Sequence, residues 1–415
     1  MAVWNPDGTL WKAFYGPPRY GGGGILDPQD KTKFLYDGME FHLDWDKGTS
    51  QLARIYYRPG PGDMELVTNC AAPEAPVYLQ GRRYLSDAYN SNPTAGHDAA
   101  FLFLDKGDGG AVVPVAAAGC ANQWPILKTG AFRARWPASL DPDGDRWKNQ
   151  AFFIWSDLNG DGHVQPEEVT IEAAISGGVT IGDDGSFLVA RLGSTNSAVQ
   201  ATRFKPQRFT DRGAPVYELA AGEPLASSQA PASSGGDQVL AGTDGWTVFT
   251  VAPRPYSPLG LGGTRNGTPA WSYPSLWPGL HASHTSCAPT EPGMLVGTTR
   301  LLGGLVTPPN PEAGPLFFLN SNQGNIYAFT QDGLFVAQLF RTSARARSGK
   351  CRPPCTTCGS MTSRSTTRTS SPPWRRPAGT GLRHDRRQHV HRPHRRSGYD
   401  SPDRACSPSR FRLAT

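Results

Sequence analysis

The run Asp157 to Glu168, D-L-N-G-D-G-H-V-Q-P-E-E, carries the most specific chemistry in the chain. Asp157, Asn159 and Asp161 fall on positions 1, 3 and 5 of the calcium-loop template, where side-chain oxygens are required. Gly162 stands at position 6, where the backbone turns sharply and a Cβ would obstruct it. His163 at position 7 would offer only its backbone carbonyl, so its imidazole is incidental. Gln165 at position 9 can bind directly or through a water, and Glu168 at position 12 can close the site with both oxygens. Ca²⁺ is a hard cation that takes about six to eight oxygens, and this string supplies such a set. The expected ligands are therefore Asp157, Asn159, Asp161, His163, Gln165 and Glu168.

The flanks decide what such a site could do. Ala151-Phe152-Phe153-Ile154-Trp155 is short, apolar and aromatic, and Val169-Thr170-Ile171 is β-branched, so both read as strands. Without a pair of amphipathic helices there is nothing to open an apolar groove on binding. The expected role is structural, a cation stapling a loop between two strands.

Other constellations are weaker. His42, Asp44 and Asp46 alternate in F-H-L-D-W-D, so on a strand they share one face, opposite Phe41, Leu43 and Trp45. An imidazole beside two carboxylates could bind a metal or move protons; a solvated strand face explains them equally well. His281 and His284, with Cys287 nearby, could hold a redox metal or a substrate, or be hydrogen-bonded loop histidines. Gly21 to Gly24 lacks the Lys-Ser/Thr that a phosphate loop needs and reads as a tight turn. Asp141, Asp143 and Asp145 resemble half a calcium loop, but Arg146 replaces the turn glycine and Phe152 the closing carboxylate. No G-x-S-x-G elbow marks a serine nucleophile.

These residues sit in a chain of 415 with 48 Gly, 38 Pro, 10% aromatic and only 18% charged residues. That mixture suits an all-β protein rich in turns. A formal charge of +6 hides an asymmetry: residues 342–415 hold 17 basic and 3 acidic side chains, leaving the preceding 341 residues at a net −8. Cys70, Cys120 and Cys287 are too dispersed for a disulfide framework. The opening residues do not read as a signal peptide, and no apolar run reaches membrane length. Met1 directly precedes a strand-like Val3-Trp4 entering a turn, which places the expected natural start upstream.

A hairpin theme recurs, apolar strand then Asx-Gly turn then apolar strand. It is seen in VWNPDGTLWKAFYG (3–16), VTIGDDGSFLVARLG (179–193) and FFLNSNQGNIYAFTQDGLFVAQLF (317–340). Further predicted strands are Phe41 to Trp45, Ala53 to Arg58, Ala99 to Leu104, Ala111 to Val115 and Trp246 to Val251. Sustained helical periodicity is absent, and Ala221 to Asp237 reads as an exposed loop. Strand repeats of roughly 40–50 residues fit propeller blades.

The strings FYGPPRYGGGGILDPQDKTKFLYDGMEFHLDW, FFIWSDLNGDGHVQPEEVT, WPGLHASH and GNIYAFTQDGLFVAQLF resemble a group of secreted bacterial β-propellers. These are similar to NHL- or quinoprotein-type propellers and carry an EF-hand-like calcium loop inserted in a blade. The resemblance spans about residues 3–341. It implies a propeller fold and an exported parent protein, extracellular or periplasmic, and it brings no reaction with it.

Residues 342–415 differ in kind, being rich in Arg, Ser, Thr, Pro and His. They could be a disordered basic tail binding nucleic acid, or a zinc module using Cys355, Cys358, His384, His389, His391 and His394. The preferred reading is GC-rich DNA translated out of frame. Codons for MTSRSTTRTSSPPWRR (361–376) permit DDLTLHDENFFPTVAQ in a neighbouring frame, and extension back to Arg341 permits DVRARPVGEMPSAVHDVRL, which continues a blade. Near His384 to Arg392 a further frame permits TTDGNTYIV.

The sequence thus predicts an all-β, incomplete β-propeller over 1–341 with an inserted EF-hand-like calcium loop, followed by a disordered tail over 342–415. The expected function is that of a Ca²⁺-binding module for a small-molecule or glycan ligand, or a scaffold. Trp271-Ser-Tyr-Pro-Ser-Leu-Trp277 is a candidate sugar-stacking loop. The alternative is a propeller enzyme, a quinoprotein-like oxidoreductase or a polysaccharide hydrolase or lyase, using His42/Asp44 or His281/His284. A monomer is expected, with no membrane partner and no nucleic-acid partner outside the tail. Sequencing the source DNA from codon 330 past the stop should reveal added or missing bases; an intact frame would establish the basic tail as genuine protein.

Overall fold

A computed structural model describes residues 2–4, 7, 9–13, 24–36, 38–56, 75–86, 99–107, 112–145, 147–194, 200–228, 238–250, 260–274, 300–320 and 326–339. They belong to one unit, Met1–Ser343; the second unit, Ala344–Thr415, lies outside the described residues, as do His281, His284 and Gly21 to Gly23.

The strands pair antiparallel throughout. A short hairpin joins β1 (Ala2–Trp4) to β2 (Leu10–Ala13). Five larger sheets follow in chain order. The first is a meander of β3 (Gly24–Leu26), β4 (Lys33–Tyr36), β5 (Met39–Asp44) and β6 (Thr49–Ile55). The second has six strands: β7 (Ala75–Leu79), β8 (Arg82–Ser86), β9 (Ala99–Leu104), β10 (Val113–Cys120), β11 (Ala151–Ser156) and β12 (Val169–Ala173). In the third, β13 (Ile175–Ser176) and β14 (Val179–Ile181) both pair with β15 (Phe187–Gly193), which pairs with β16 (Gln200–Phe204). A small hairpin, β17 (Arg208–Phe209) with β18 (Pro215–Val216), precedes that sheet's last strand, β19 (Glu223–Ser227). The fourth contains β20 (Val239–Ala241), β21 (Trp246–Phe249), β22 (Gly260–Arg265) and β23 (Thr268–Pro274). The fifth contains β24 (Arg300–Leu301), β25 (Leu316–Asn320), β26 (Ile326–Thr330) and β27 (Phe335–Leu339).

Each sheet packs its face on the next, so the chain is an all-β, five-bladed propeller-like arrangement. Leu35 and Tyr56 of the first sheet share a core with Leu85, Phe101 and Phe153 of the second. The second meets the third through Val77, Leu102 and Phe152 against Val179, Phe187 and Phe204. Leu188 and Ala201 meet Val239 and Phe249, and Leu240 and Trp271 meet Phe317 and Phe329.

The sequence pattern explains why the second sheet is covered on both faces. In β9 every residue of Ala-Ala-Phe-Leu-Phe-Leu is buried, as is every residue of β11. Side chains alternate across a strand, so Phe101, Phe103, Phe153 and Trp155 face the first sheet while Leu102, Leu104, Phe152 and Ile154 face the third. A strand covered on both faces needs an unbroken apolar run, whereas β6, Thr-Ser-Gln-Leu-Ala-Arg-Ile, is polar and mostly exposed, as suits an edge.

Three expectations change. The segment Ala221 to Asp237 contains β19, an edge strand on β16, because Arg203 grips Glu223 bidentately (2.8–3.1 Å) and Ala226 enters the core between the third and fourth sheets. Its Ala/Ser/Pro composition concealed that burial. The strand predicted from Ala111 to Val115 runs to Cys120, since Ala116, Ala117 and Ala118 fit a sheet packed on both faces. The strand predicted from Ala53 to Arg58 is β6, shifted toward the N-terminus by its register with β5.

Between β10 and β11 lie two 3₁₀ turns, Ala121–Gln123 and Pro125–Lys128, and the short α1 (Gly130–Arg133). Such pieces are too short to register as helical periodicity. They carry Trp124 into the core, with ring centres 5.1 Å from Phe101 and from Phe153 and 5.7 Å from Trp155. Among the described residues its indole N–H has no hydrogen-bond partner. Trp124→Ala should therefore cost about 3–5 kcal/mol in equilibrium unfolding, and Trp124→Phe much less, since no hydrogen bond is lost; equal losses would refute that account.

Candidate functional site

The loop Asp157 to Glu168 joins β11 to β12, whose ladder runs from Ala151↔Ala173 to Trp155↔Val169. Both ends of the loop are thus fixed by a core sheet. Asp157 N–H donates to the Val115 carbonyl at 3.0 Å, extending the neighbouring ladder to the first loop residue.

Side chains then organise the loop's backbone. Gly160 and Gly162 N–H donate to Asp157 Oδ1 (2.7 Å) and Oδ2 (3.0 Å). Asp161 N–H donates to Asn159 Oδ1 at 2.9 Å and His163 N–H to Asp161 Oδ1 at 2.8 Å, two successive Asx turns. Glu168 reaches back across the loop: Leu158 N–H (2.8 Å) and Asn159 N–H (3.3 Å) donate to its Oε1, and the Trp155 indole N–H to its Oε2 (3.1 Å). The last loop residue therefore sits against the first. His163 is exposed; its backbone N–H enters this arrangement through the bond just described, and its side chain lies close enough to Asp161 to act on that carboxyl electrostatically.

Glycine is required at two of these positions. Gly160 and Gly162 have φ of +76° and +77°, the left-handed region, and a Cβ on Gly162 would lie 2.5 Å from Val113 Cγ1.

The electrostatics are uneven. Asp157 and Glu168 are buried, and burial raises both carboxyl pKa values above the ordinary range despite the N–H groups donated to them. For exposed Asp161, residual burial also acts upward but is outweighed by the His163 N–H and the Asn159 and Gln165 amides, and its pKa is lowered. Gln165 Nε2 donates to Asp161 Oδ2 at 2.9 Å, while Gln165 Oε1 is buried without a hydrogen-bond partner among the described residues. Glu168 N–H already donates to the Gln165 backbone carbonyl at 3.1 Å.

The fit to a hard divalent cation rests on these features: oxygen donors only, a buried orphan oxygen at position 9, and two buried carboxylates without an ion-pair partner among the described residues. In the same residues no three His, Cys, Asp or Glu side chains cluster as a metal-ligand group. The loop's carboxylates are engaged with backbone N–H groups, and the remaining donors are amide and carbonyl oxygens.

The weaker candidates separate. His42 is exposed, with Nε2 3.6 Å from Glu40 Oε1, while Asp44 pairs with Lys47 at 3.0 Å and Asp46 lies beyond the end of β5. Trp271, expected in a sugar-stacking loop, is a core residue on β23: it packs on Phe317 (ring centres 6.3 Å) and donates its indole N–H to the Gln331 carbonyl at 3.2 Å. Its place follows from the apolar face that β23 turns toward the fifth sheet; Trp277 lies outside the described residues.

Sequence reasoning missed a buried charge cluster between the first two sheets. Arg83 on β8 reaches Asp27 (3.0 Å), Glu40 (2.9 Å) and Asp105 (3.2 Å), and Arg54 reaches Asp105 at 3.1 Å. Tyr56 donates to Glu40 at 2.5 Å and Tyr78 to Asp27 at 2.8 Å. Burial, then the hydrogen bond to Glu40, lifts the Tyr56 pKa far above normal; burial and Asp27 push Tyr78 up to about 12. These residues come from six separate strands or their ends, so no local spacing announces them. Beside this cluster opens a cleft of about 570 Å³, whose wall includes Arg82, Arg83, Asp105, Lys106 and Arg212 together with Asp157 and Gly160 of the loop.

No protein-family model matches the chain, and no curated protein matches it.

Gly162→Ala should destabilise the protein by about 1–2 kcal/mol from the left-handed backbone alone, with more from the Val113 contact. Pairing it with Val113→Ala should recover part of the loss in unfolding experiments; a neutral Gly162→Ala would contradict the loop geometry.

Proposed function

We propose that this chain is a calcium-binding propeller module of the exported bacterial type, working as a ligand-binding or scaffold protein rather than a calcium switch. One observation carries the calcium reading: Asp157 and Glu168 are buried carboxylates with no cationic partner among the described residues, at the joint of two core strands. Leaving such charge uncompensated is costly, and a bound cation removes the cost. The Asp157, Asn159, Asp161 and Glu168 side chains, the His163 carbonyl and the Gln165 amide oxygen would hold the ion. When bound, Ca²⁺ would supply positive charge and cross-linking, with no chemistry of its own.

The loop is closed at both ends by strands and has no helix pair to move. That supports a staple role over a sensor role. The likeness to NHL- and quinoprotein-type propellers belongs to this proposal, as does the extracellular or periplasmic setting, where millimolar-range calcium modules function. The enzyme alternative gains no specific support, since His42 and Asp44 take separate partners.

Two experiments test this reading. Binding to the folded state alone stabilises by about RT ln(1+[L]/Kd), near 2.7 kcal/mol at a hundredfold excess. Ca²⁺ should raise the melting temperature, EGTA should reverse it, and Asp157→Ala or Glu168→Ala should abolish the response; an undiminished EGTA effect in both variants would reject these ligands. The second is pH. A carboxyl whose folded pKa is raised binds protons more tightly folded than unfolded. Its contribution to cation-free stability therefore declines as pH rises from the unfolded value near 4 through the folded one. Calcium displaces those protons, so the stabilisation by Ca²⁺ over cation-free protein should grow with pH across this window. A pH-independent increment would contradict the role of Asp157 and Glu168.

A further inference from the structure

The cleft beside the loop has an imbalance of its own. Of its two buried carboxylates, Asp105 is already paired with Arg54 and Arg83, and Asp157 is turned onto the Gly160 and Gly162 N–H groups of the loop. Arg82, Lys106 and Arg212 remain at the mouth, exposed, with no carboxylate partner among the described residues. Arg82 spends one donor on the Asp211 backbone carbonyl (Nη2–O, 3.1 Å), which fixes its direction and leaves most of its N–H groups unused.

Two glycines set the arginines in place. A Cβ on Gly213 would lie 1.8 Å from Arg82 Nη1, and one on Gly160 would lie 2.1 Å from Arg212 Cδ. Each arginine thus lies directly over a bare backbone, and both glycines have positive φ (+94° and +76°). Arg212 reaches the cleft by crossing the loop itself. Asp157, at loop position 1, is part of the same wall.

We propose that this cleft is the ligand site, and that it takes an oxyanionic ligand whose carboxylate, sulfate or phosphate group is held by Arg82, Arg212 and Lys106. Guanidinium groups pair bidentately with such oxyanions, and lysine adds a point charge. The volume exceeds that of a lone oxyanion and admits a sugar-sized body behind the charged group. A cation in the adjacent loop would add positive potential to the wall, so calcium and ligand would strengthen each other's binding reciprocally. That coupling deepens the calcium-module reading above; the anion site itself stands without it.

The test is calorimetric titration of the full chain at constant ionic strength, in EGTA and again in Ca²⁺. The probes are a chondroitin 4-sulfate disaccharide, lactose as its neutral counterpart, and inorganic sulfate. In EGTA the sulfated disaccharide should bind and lactose should not. Arg82→Ala and Arg212→Ala should each weaken binding by about tenfold, equivalent to ~1.4 kcal/mol. Arg203→Ala, which removes the Glu223 pair away from the cleft, should leave it unchanged. Arg82→Lys and Arg212→Lys, which keep charge and stem, should retain part of the affinity, and unfolding curves identify any variant that fails to fold. Binding of inorganic sulfate alone, sensitive to the same substitutions, would support the oxyanion site with a free anion as occupant. Absence of binding by either anion, or equal affinity in the wild type and both alanine variants, would overturn the proposal. Tighter binding in Ca²⁺, lost in Glu168→Gln, would establish the coupling; anion binding insensitive to Ca²⁺ would leave the cleft standing and reject the link.

Discussion

The constraint on which the molecule turns is the burial of Asp157 and Glu168 at the joint between β11 and β12. That joint belongs to a sheet that is core on both faces, packed against the first sheet by Phe153 and Trp155 and against the third by Phe152 and Ile154. Its loop cannot swing out to solvent without breaking the ladder and the Glu168 bonds to Trp155 and Leu158. The carboxylates are therefore held inside, and their charge must be met there. Backbone N–H groups meet part of it. On the proposed reading a divalent cation would meet the rest.

The opposite solution appears at the interface of the first two sheets. There Asp27, Glu40 and Asp105 are also buried, but Arg54 and Arg83 lie among them and two tyrosine hydroxyls complete the network. Removing one member of such a network strands its partners in a dry setting, so the cluster fixes how those sheets register. One interface carries its own cations; the loop carries none. This contrast between two buried acidic groups in one protein is the strongest physical argument that the loop's counter-charge comes from solution.

Much of this was legible in the chain. The all-β class followed from glycine, proline and aromatic content, and the hairpins at 179–193 and 317–340 followed from Asx-Gly turns between apolar runs, now seen as β14–β15 and β25–β26–β27. The loop's incoming strand was readable because five consecutive apolar residues, Ala151 to Trp155, leave no polar face. What could not be read was whatever depends on distant residues meeting. Arg83 looks like an ordinary hairpin arginine until Asp27 and Glu40 arrive from another sheet. Arg212 and Arg82, separated by far in sequence, reach one cleft only because Gly160 and Gly213 let them pass. Trp271 misled in the reverse direction, since a tryptophan among Ser, Tyr and Pro resembles a surface loop while its strand register turns it inward.

The most direct test is the calcium stoichiometry of the purified chain, by equilibrium dialysis against ⁴⁵Ca²⁺ for the wild type and for Glu168→Gln, a variant that keeps the shape of the closing side chain. One calcium should bind per wild-type chain at millimolar free Ca²⁺, with a large loss of affinity in the variant. A wild-type chain that holds none, or a variant that holds calcium as tightly, would contradict that expectation.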